Sequence, residues 1–367
     1  MNICFVVTQA SEMGGAQIHV RDLAFKLKKD SDSPTIVVGE EGMLTKHLKE
    51  AGVNYYICNG LQRDINLIKD FRALKNLIKI FKKIKPDLVS LHSSKAGIIG
   101  RIACYICKIR CIFTAHGWAF ADGVNSLSRP IYIIIEKFFA NFCYKIITVS
   151  NQDRNLALKY NIAKPNKLIV VHNGMPEIDL KYEKKPQRAK LKLVTVARYT
   201  KQKDHKSLLK ALSYLPKTYD WELALIGSGK LEEEVKNLAK SLKIDKNLKF
   251  LGQISNVSEV LSNSDIFLLI SNWEGFPRSI LEAMRAALPI ITSDVGGSSE
   301  SMIDKRGGYL VKRNDPITLE KMIRKLMDSK DLRLDQGKFN RKRFLNHFTF
   351  NKMYKSMRKI YKDAIIN

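Results

Sequence analysis

Short apolar runs rich in β-branched residues alternate along the chain with longer segments in which apolar residues recur every three or four positions. A strand covered by helices on both faces has no solvent side, so it is a continuous apolar run, whereas a helix lying on a sheet shows helical spacing. The pattern therefore predicts an α/β fold of doubly wound parallel sheets. Predicted strands cover 2–8, 35–39, 88–92, 111–116, 146–150, 192–198, 221–227, 248–252, 266–271, 289–294 and 309–311, and the clearest crossover helices cover 18–29, 67–85 and 231–243.

The alternation pauses once, between positions 175 and 191, where residues 181–190 are polar and include Pro186. A polar stretch with a proline between two apolar patterns is typical of a linker. Because 367 residues exceed the usual size of one domain, we expect two domains of similar design. Their predicted bounds are 1–172 and 173–349, followed by a basic helix at about 350–367.

The composition is that of a globular protein, with 45% hydrophobic residues. The longest apolar stretch, 131–149, is interrupted by charged and polar residues and is too short to predict a transmembrane helix. The first residues lack the basic region and cleavage site of a secretory signal. We therefore expect a cytoplasmic protein.

Charge is the unusual property of this sequence, because 63 Lys and Arg against 36 Asp and Glu leave a formal charge of +27. Many of these cations alternate with apolar residues in the predicted helix 67–85. Such a helix either lies on anionic lipid headgroups or is a crossover helix with solvated lysines, and its pattern alone does not decide between the two. The overall charge favours an anionic membrane surface or substrate, whereas the absence of a reader motif predicts no nucleic-acid partner.

Six cysteines in a chain of this length are not a secreted disulfide framework, so we expect reduced thiols. Cys104, Cys107 and Cys111 follow helical spacing in an apolar stretch, which suits either a metal site or one buried face. The buried face is favoured because no second Cys/His pair completes a zinc set.

The most informative stretch is EGFPRSILEAM at 274–284, where a predicted strand ends, a Gly-Pro loop follows and a helix is expected over 279–287. Such a loop presents backbone N–H groups and a helix N-terminus at the carboxyl edge of the sheet, where α/β folds bind phosphorylated ligands. Glu274 and Glu282 can both face this anion site and accept hydrogen bonds from hydroxyls, which suits a sugar nucleotide. The alternative is a helix whose first-turn acid only complements the helix dipole.

Other candidate residues stand where predicted strands end. Gly14 and Gly15 precede the helix 18–29, so the backbone can approach a bulky anion there. Arg198 and Lys203 follow the first strand of the second half, where two cations can neutralise a leaving diphosphate. His116 ends a strand and precedes a glycine, so its imidazole is a further candidate, although a lone histidine is more often structural.

Competing motifs fail on spacing. The sequence Gly227-Ser228-Gly229-Lys230 resembles the end of a phosphate loop, but the earlier glycine and the Ser/Thr after the lysine are both missing. The same segment also lacks the third glycine of a dinucleotide fingerprint. The triplet 30–32 is formally Asp-x-Asp, but it lies in a polar turn and is interpreted as solvated. We expect no obligatory metal and no cofactor, with cations and helix dipoles in the place of a divalent ion.

Taken together, these motifs resemble the family 4 glycosyltransferases, which are retaining enzymes of GT-B architecture. Beyond the Glu-x7-Glu segment, the resemblance rests on an ordered set of short motifs along nearly the whole chain. They are Gly14-Gly15, Thr114-Ala115-His116-Gly117, Val149-Ser150, His172-Asn173-Gly174, Ala197-Arg198 with Lys203, Gly227-Ser228-Gly229, and Ser293-Asp294-Val295-Gly296-Gly297 with Glu300.

The resemblance implies two Rossmann-like doubly wound domains facing across a cleft, an acceptor-side domain followed by a sugar-nucleotide-binding domain, with the final helix packing back on the first. It implies that His116 and Glu274 act at the transferred sugar, that Arg198 and Lys203 bind the donor diphosphate, and that Glu282 holds the ribose hydroxyls. The implied donor-binding set is Gly14, Gly15, Arg198, Lys203, Gly227, Gly275, Phe276, Pro277, Ser279 and Glu282.

Three positions depart from the family pattern. Arg285 and Ala287 stand where the family usually has alanine and glycine, and Asp204 stands where glycine is common. The departures put the fine geometry of the loop in doubt, but not the phosphate assignments.

The implied function is a retaining transfer of a sugar, N-acetylhexosamine from a UDP donor, to a lipid-linked glycan of lipopolysaccharide or capsule at the inner face of the cytoplasmic membrane. Two alternatives stay open. One is a UDP-sugar epimerase of the same fold, which would need further carboxylates for proton abstraction; the other is a non-enzymatic basic protein on an anionic membrane surface. The sequence leaves open the sugar, the base, the acceptor, the linkage and the oligomeric state.

Overall fold

The computed structural model describes residues 1–11, 13–121, 126–178 and 190–366. Of the predicted linker 181–190, all but Lys190 lies outside the described residues. The chain divides into two compact units, Met1–Asn173 with Met353–Asn367, and Gly174–Lys352. Among the described residues, no helix combines the length and apolarity needed to cross a bilayer.

The first unit contains a seven-stranded parallel sheet of order β3-β2-β1-β4-β5-β6-β7. Buried apolar residues on its strands and helices form one continuous core. The strands are β1 (Asn2–Val6), β2 (Ser33–Val38), β3 (Asn54–Ile57), β4 (Leu88–His92), β5 (Cys111–Ala115), β6 (Lys145–Thr148) and β7 (Leu168–Val170). The helices are α1 (Gly15–Lys29), α2 (Met43–Glu50), α3 (Leu67–Ile84), α4 (Ser94–Cys107), α5 (Arg129–Ala140) and α6 (Asn151–Lys159).

The second unit repeats the design with a six-stranded parallel sheet of order β10-β9-β8-β11-β12-β13 and a core of its own. Its strands are β8 (Leu191–Val196), β9 (Trp221–Ile226), β10 (Leu248–Gly252), β11 (Ile266–Leu269), β12 (Ile290–Ser293) and β13 (Gly308–Val311). Its helices are α7 (His205–Ser213), α8 (Glu232–Ser241), α9 (Val257–Ser262), α10 (Arg278–Arg285), α11 (Ser298–Ser301), α12 (Pro316–Asp328) and α13 (Lys330–His347). The last helix, α14 (Phe350–Ile366), belongs to the first unit from Met353 onward.

The predicted α/β class and all eleven predicted strands are confirmed, but β3 and β7 were missed. Both are edge strands. β3 reads Asn-Tyr-Tyr-Ile and has no fully buried residue, and β7 has only three residues, so neither shows the continuous apolar run of a covered strand.

The cysteine segment agrees with the buried-face interpretation, whereas one polar segment needs correction. Cys104 and Cys111 are buried in the core, the first on α4 and the second at the start of β5, where a strand was predicted. The triplet 30–32 is not simply solvated. Asp30 Oδ2 accepts a hydrogen bond of 2.7 Å from the Tyr354 hydroxyl, and Arg358 reaches Asp30 and Asp32 at 3.4 and 3.2 Å. These two carboxylates therefore hold helix α14 within the first unit.

The basic helix α3 proves to be a crossover helix with an additional exposed apolar end. Ala73, Leu77 and Phe81 are fully buried in the core, so this face covers the sheet. The first turn does not follow that pattern, because Leu67 and Phe71 are 81% and 58% exposed. The apolar stripe therefore belongs to the fold, and any contact with a membrane would use the first turn.

Helix α10 ends in a Schellman motif. The N–H of Leu288 donates to the carbonyl of Ala283 and that of Ala287 to Met284, both at 3.0 Å. Ala287 takes φ of 55°, the left-handed region that a side chain disfavours. This conformation explains why glycine is the ordinary residue at this position.

We expect Ala287→Gly to stabilise the protein by about 1 kcal/mol, because glycine removes the Cβ contact that disfavours this conformation. Ala286→Gly is the matched control, since Ala286 has φ of −83° and gains nothing from glycine. It should destabilise the protein by about 1 kcal/mol through greater freedom of the unfolded chain. Urea denaturation of both variants measures this, and equal destabilisation by the two would contradict the assignment of strain to Ala287.

Candidate active site

The candidate site of the second unit lies where its strand order reverses. Strand β8 stands between β9 and β11, so the connections that follow β8 and β11 leave the sheet in opposite directions. Their loops therefore border a crevice at the carboxyl edge, the usual ligand site of open α/β sheets. The two loops also touch, because Lys203 forms a β-bridge with Ser271 and the N–H of Asn272 donates to the carbonyl of Gln202 at 2.8 Å.

Glu274 is the most constrained side chain of this crevice. It is only 8% exposed, and both oxygens of its carboxylate have partners within the protein. Ser271 Oγ donates to Oε1 at 2.7 Å, Gln202 Nε2 donates to Oε2 at 3.3 Å, and Lys203 Nζ contacts Oε1. A buried carboxylate requires such partners, because desolvation without them costs several kcal/mol. The arrangement holds one negative and one positive charge in fixed positions at the switch point.

The glycines after β9 permit the next loop to close over the same edge. Gly227 has φ of 143°, and a Cβ there would lie 2.2 Å from the carbonyl oxygen of Ala197. At Gly229 a Cβ would lie 2.4 Å from the carbonyl oxygen of Tyr199. This loop therefore packs directly on the segment that carries Arg198, whose own side chain is exposed.

Helix α10 begins at Arg278, one residue earlier than predicted, with Pro277 as its N-cap. Glu282 lies one turn inside, half-buried. Burial raises the pKa of Glu282, although Arg278 and Arg285 oppose this shift. A carboxylate that is costly to ionise gains from hydroxyl donors, because these supply the hydrogen bonds that burial removes.

The residues between the two glutamates are held in place by packing against neighbouring segments of the second unit. Phe276 is 4% exposed, and its ring centroid lies 5.5 Å from that of Phe348. Gly275 accepts a hydrogen bond of 2.6 Å from the N–H of Gly297. Gly296 lies so close to this loop that a Cβ would be 1.9 Å from the carbonyl oxygen of Glu274. The turn after β12 therefore holds the backbone of the loop at Glu274 and Gly275. Ser279 stays half-buried in the first turn of α10.

The first unit brings three histidines together at its own switch point, between β1 and β4. His92 ends β4, His116 follows β5, and His19 lies on α1. The ring centroids of the three histidines lie 5.2 to 5.5 Å from one another, and the centroid of His92 lies 5.9 Å from that of Phe5. His92 Nδ1 lies 3.0 Å from His116 Nε2. In the parts of the chain that the structure describes, no three His, Cys, Asp or Glu side chains are arranged to hold a metal ion.

The glycine pair of the first unit lies at the start of α1, which begins at Gly15, three residues earlier than predicted. Gly14 is its N-cap in an extended conformation, and Gly15 is its exposed first residue. Among the predicted site residues, the structure joins Lys203 to Glu274 directly and packs the Gly227 loop on the Arg198 segment. His116, Gly14 and Gly15 belong to the other unit.

Sequence reasoning missed three residues of these sites. Gln202 and Ser271 hold Glu274, and His92 holds His116. Each is a polar residue at or just beyond the carboxyl end of a buried strand. That position, in a sheet whose strands all end at one edge, was the available indication.

Two doubly wound parallel units, each with polar and charged groups at its switch point, are the architecture of GT-B glycosyltransferases. The family description "Glycosyltransferase Family 4" matches residues 13–177, and "Glycosyl transferases group 1" matches residues 178–343. An Escherichia coli UDP-Gal:alpha-D-GlcNAc-diphosphoundecaprenol alpha-1,3-galactosyltransferase is 30% identical over 348 residues, covering 90% of this chain and 89% of its own length. The chain belongs to the family 4 glycosyltransferases.

Other similar proteins agree with this assignment. The capsular polysaccharide biosynthesis glycosyltransferase CapM of Staphylococcus aureus is 27% identical, with 92% of each chain covered. The structure of Anabaena HepE in complex with UDP and glucose superposes with a TM-score of 0.85 at 16% identity, covering 99% of this chain and 100% of that one. The predicted GT-B fold is thereby confirmed.

Substitution of the two glutamates separates their expected roles. If Glu282 holds ribose, Glu282→Gln removes hydrogen bonds made in ground and transition states alike and should mainly weaken binding of UDP. If Glu274 acts at the transferred sugar, Glu274→Gln should lower kcat by about 100-fold and leave UDP affinity nearly unchanged.

Calorimetric titration with UDP and initial-rate kinetics measure both effects. Glu233→Gln is the control, because the Glu233 side chain is 75% exposed and pairs with Lys236 of its own helix. Equal loss of UDP affinity in the two site variants would show that this division of roles is wrong.

Proposed function

We propose that the protein transfers a sugar from a UDP donor to a lipid-linked glycan with retention of anomeric configuration. The observation that carries the proposal is the junction of Lys203 and Glu274 at the switch point of the second unit. It sets a cation for a diphosphate beside a carboxylate for a sugar, and α10 begins at the end of the same loop, with Glu282 one turn inside.

In this proposal Arg198 and Lys203 bind the donor diphosphate and Glu282 accepts hydrogen bonds from the ribose. The N-terminus of α10 adds a partial positive charge toward the phosphates. These fixed charges stabilise the departing diphosphate without an obligatory metal ion. Ser271 and Gln202 also donate hydrogen bonds to Glu274, so the position of this carboxylate does not depend on Lys203 alone.

The proposed chemistry needs no protein nucleophile. The bond between the anomeric carbon and the phosphate oxygen breaks as the acceptor oxygen bonds to the same face of the sugar. The acceptor proton passes to the leaving phosphate oxygen, so atoms and charge balance. Glu274 stabilises the positive charge that develops at the anomeric carbon of the transferred sugar, and His116 contacts the same sugar.

The acceptor is proposed from the relatives. The E. coli relative is named for a galactosyl transfer to GlcNAc-diphosphoundecaprenol, and others are named for O-antigen and capsular polysaccharide biosynthesis. We therefore propose a polyprenyl-diphosphate glycan as acceptor and a UDP-linked hexose or N-acetylhexosamine as donor.

We expect the purified protein to consume one of UDP-Gal, UDP-GalNAc, UDP-Glc and UDP-GlcNAc in the presence of a polyprenyl-diphosphate N-acetylhexosamine, and to form an α-linkage from these α-linked donors. Mass spectrometry identifies the product, and the anomeric proton coupling in its NMR spectrum reports the configuration. Activity should persist in EDTA.

Each alternative has its own result in the same assay. A β-linked product would refute retention, and loss of activity in EDTA would refute metal independence. Isomerisation of the donor without acceptor would favour the epimerase alternative. Neither transfer nor isomerisation with any of the four donors would favour a non-enzymatic basic protein.

A second proposal concerns location: the first turn of α3 contacts the anionic inner face of the cytoplasmic membrane. Leu67, Ile68 and Phe71 are 81%, 77% and 58% exposed there. Lys75 places its ammonium 4.5 Å from the centroid of the Phe71 ring, and other cations follow along the helix. Exposed apolar side chains next to cations suit the boundary between headgroups and acyl chains.

We expect the protein to float with vesicles that contain phosphatidylglycerol and not with phosphatidylcholine vesicles alone. Ile68→Ser with Phe71→Ser should reduce binding at least about tenfold, because the apolar contact of two large side chains is lost. Lys240→Glu, on an exposed position of α8, controls for net charge and should change binding little. Undiminished flotation of the double variant would place the contact elsewhere.

A further inference from the structure

Four side chains form a hydrogen-bonded line through the first unit, from helix α14 to His116. The Tyr361 hydroxyl lies 3.3 Å from Ser90 Oγ, and Ser90 Oγ lies 3.0 Å from His92 Nε2. His92 Nδ1 then lies 3.0 Å from His116 Nε2. Tyr361, Ser90 and His92 have no exposed surface, so water does not compete for these bonds. We name these four residues the histidine relay.

Burial gives the line a direction. Within the described ranges, the hydrogen-bond partner of the Tyr361 hydroxyl is Ser90, so its O–H either donates there or remains unsatisfied. An unsatisfied buried donor is costly, and burial raises the pKa of this phenol, so the proton stays in place. Ser90 has one proton, which is then directed to His92 Nε2.

The next step follows from the charge of His92. Burial, and then the neighbouring His116, lower the pKa of His92 well below its ordinary value, so its ring is neutral and carries one proton. Because His92 Nε2 accepts from Ser90, that proton is on Nδ1, and it donates to His116 Nε2.

We propose that Tyr361, Ser90 and His92 are positioning residues that hold His116 as the tautomer protonated on Nδ1. This inference rests on the proposed role of His116 at the transferred sugar. A donor already directed at His116 Nε2 leaves no lone pair there for a second proton. The relay therefore keeps His116 a neutral imidazole with its proton on Nδ1, which avoids a second positive charge beside the anomeric carbon.

Nitrogen NMR of ¹⁵N-histidine-labelled protein tests the relay directly. The chain has seven histidines, and His116 is assigned from the signal that disappears in His116→Asn. In the wild type we expect His116 to be protonated on Nδ1. Tyr361→Phe removes only the terminal hydroxyl and should shift the tautomer ratio by about fivefold toward protonation on Nε2. Ser90→Ala interrupts the same line at another residue and should shift it in the same direction.

Tyr354→Phe is the matched control. Tyr354 lies on the same helix, and its hydroxyl also donates a partly buried hydrogen bond. The acceptor is Asp30, which is outside the relay. Its removal should leave the His116 tautomer unchanged even if it lowers stability. An unchanged ratio in both Tyr361→Phe and Ser90→Ala, or an equal shift in Tyr354→Phe, would overturn the relay.

Kinetics separate this inference from the proposed function. We expect Tyr361→Phe to lower kcat about fivefold, in step with the tautomer ratio, and to leave KM for the UDP-sugar within about twofold. A shifted tautomer with unchanged kcat would overturn the positioning role. A different result would be full activity of His116→Ala together with the expected tautomer shifts in Tyr361→Phe and Ser90→Ala. It would refute the catalytic role of His116 and leave the relay as a structural feature.

Discussion

A parallel sheet ends all its strands at one edge, and this constraint determines where chemistry can be placed in both units. The strand interiors are covered on both faces and are apolar, so the first positions at which polar side chains are tolerated are those just beyond the strands. Glu274 follows β11, Lys203 follows β8, and His116 follows β5. These polar and charged groups therefore collect at the carboxyl edge of their own sheet, although they come from separate loops in the sequence.

The same constraint explains how much of the molecule could be predicted. Covered strands are continuous apolar runs, so eleven of them were found, whereas the half-exposed edge strand β3 carries no such pattern. The Glu-Gly-Phe-Pro loop was found because its residues are contiguous. The partners of Glu274 were not, because Gln202 is brought to it only by the order of the strands. The tertiary roles of Asp30 and Asp32 were missed for a related reason, since their partners lie more than 300 positions later.

The switch points of the two units meet the cost of buried polar groups by different means. In the second unit a carboxylate is stabilised by an ammonium group and two neutral donors, so the site is built from charge. At the switch point of the first unit, neutral hydroxyls and an imidazole satisfy one another in a line that leads to His116. Charged pairs provide strong local fields and can exchange partners with an anionic ligand. Neutral lines provide orientation, because each group has few ways of satisfying its neighbours.

Two buried tyrosines of helix α14 join the histidines of the first unit to the rest of its fold. Its buried face includes Tyr354 and Tyr361, two turns apart. Burial raises the pKa of both phenols, so each remains a hydrogen-bond donor throughout the physiological range. Tyr354 donates to the charged cluster around Asp30, which fixes the helix in place, whereas Tyr361 reaches Ser90 beneath the histidines. One tyrosine therefore sets the position of the helix and the other transmits that position to His116, so a segment distant in sequence from the histidines determines the order of their hydrogen bonds.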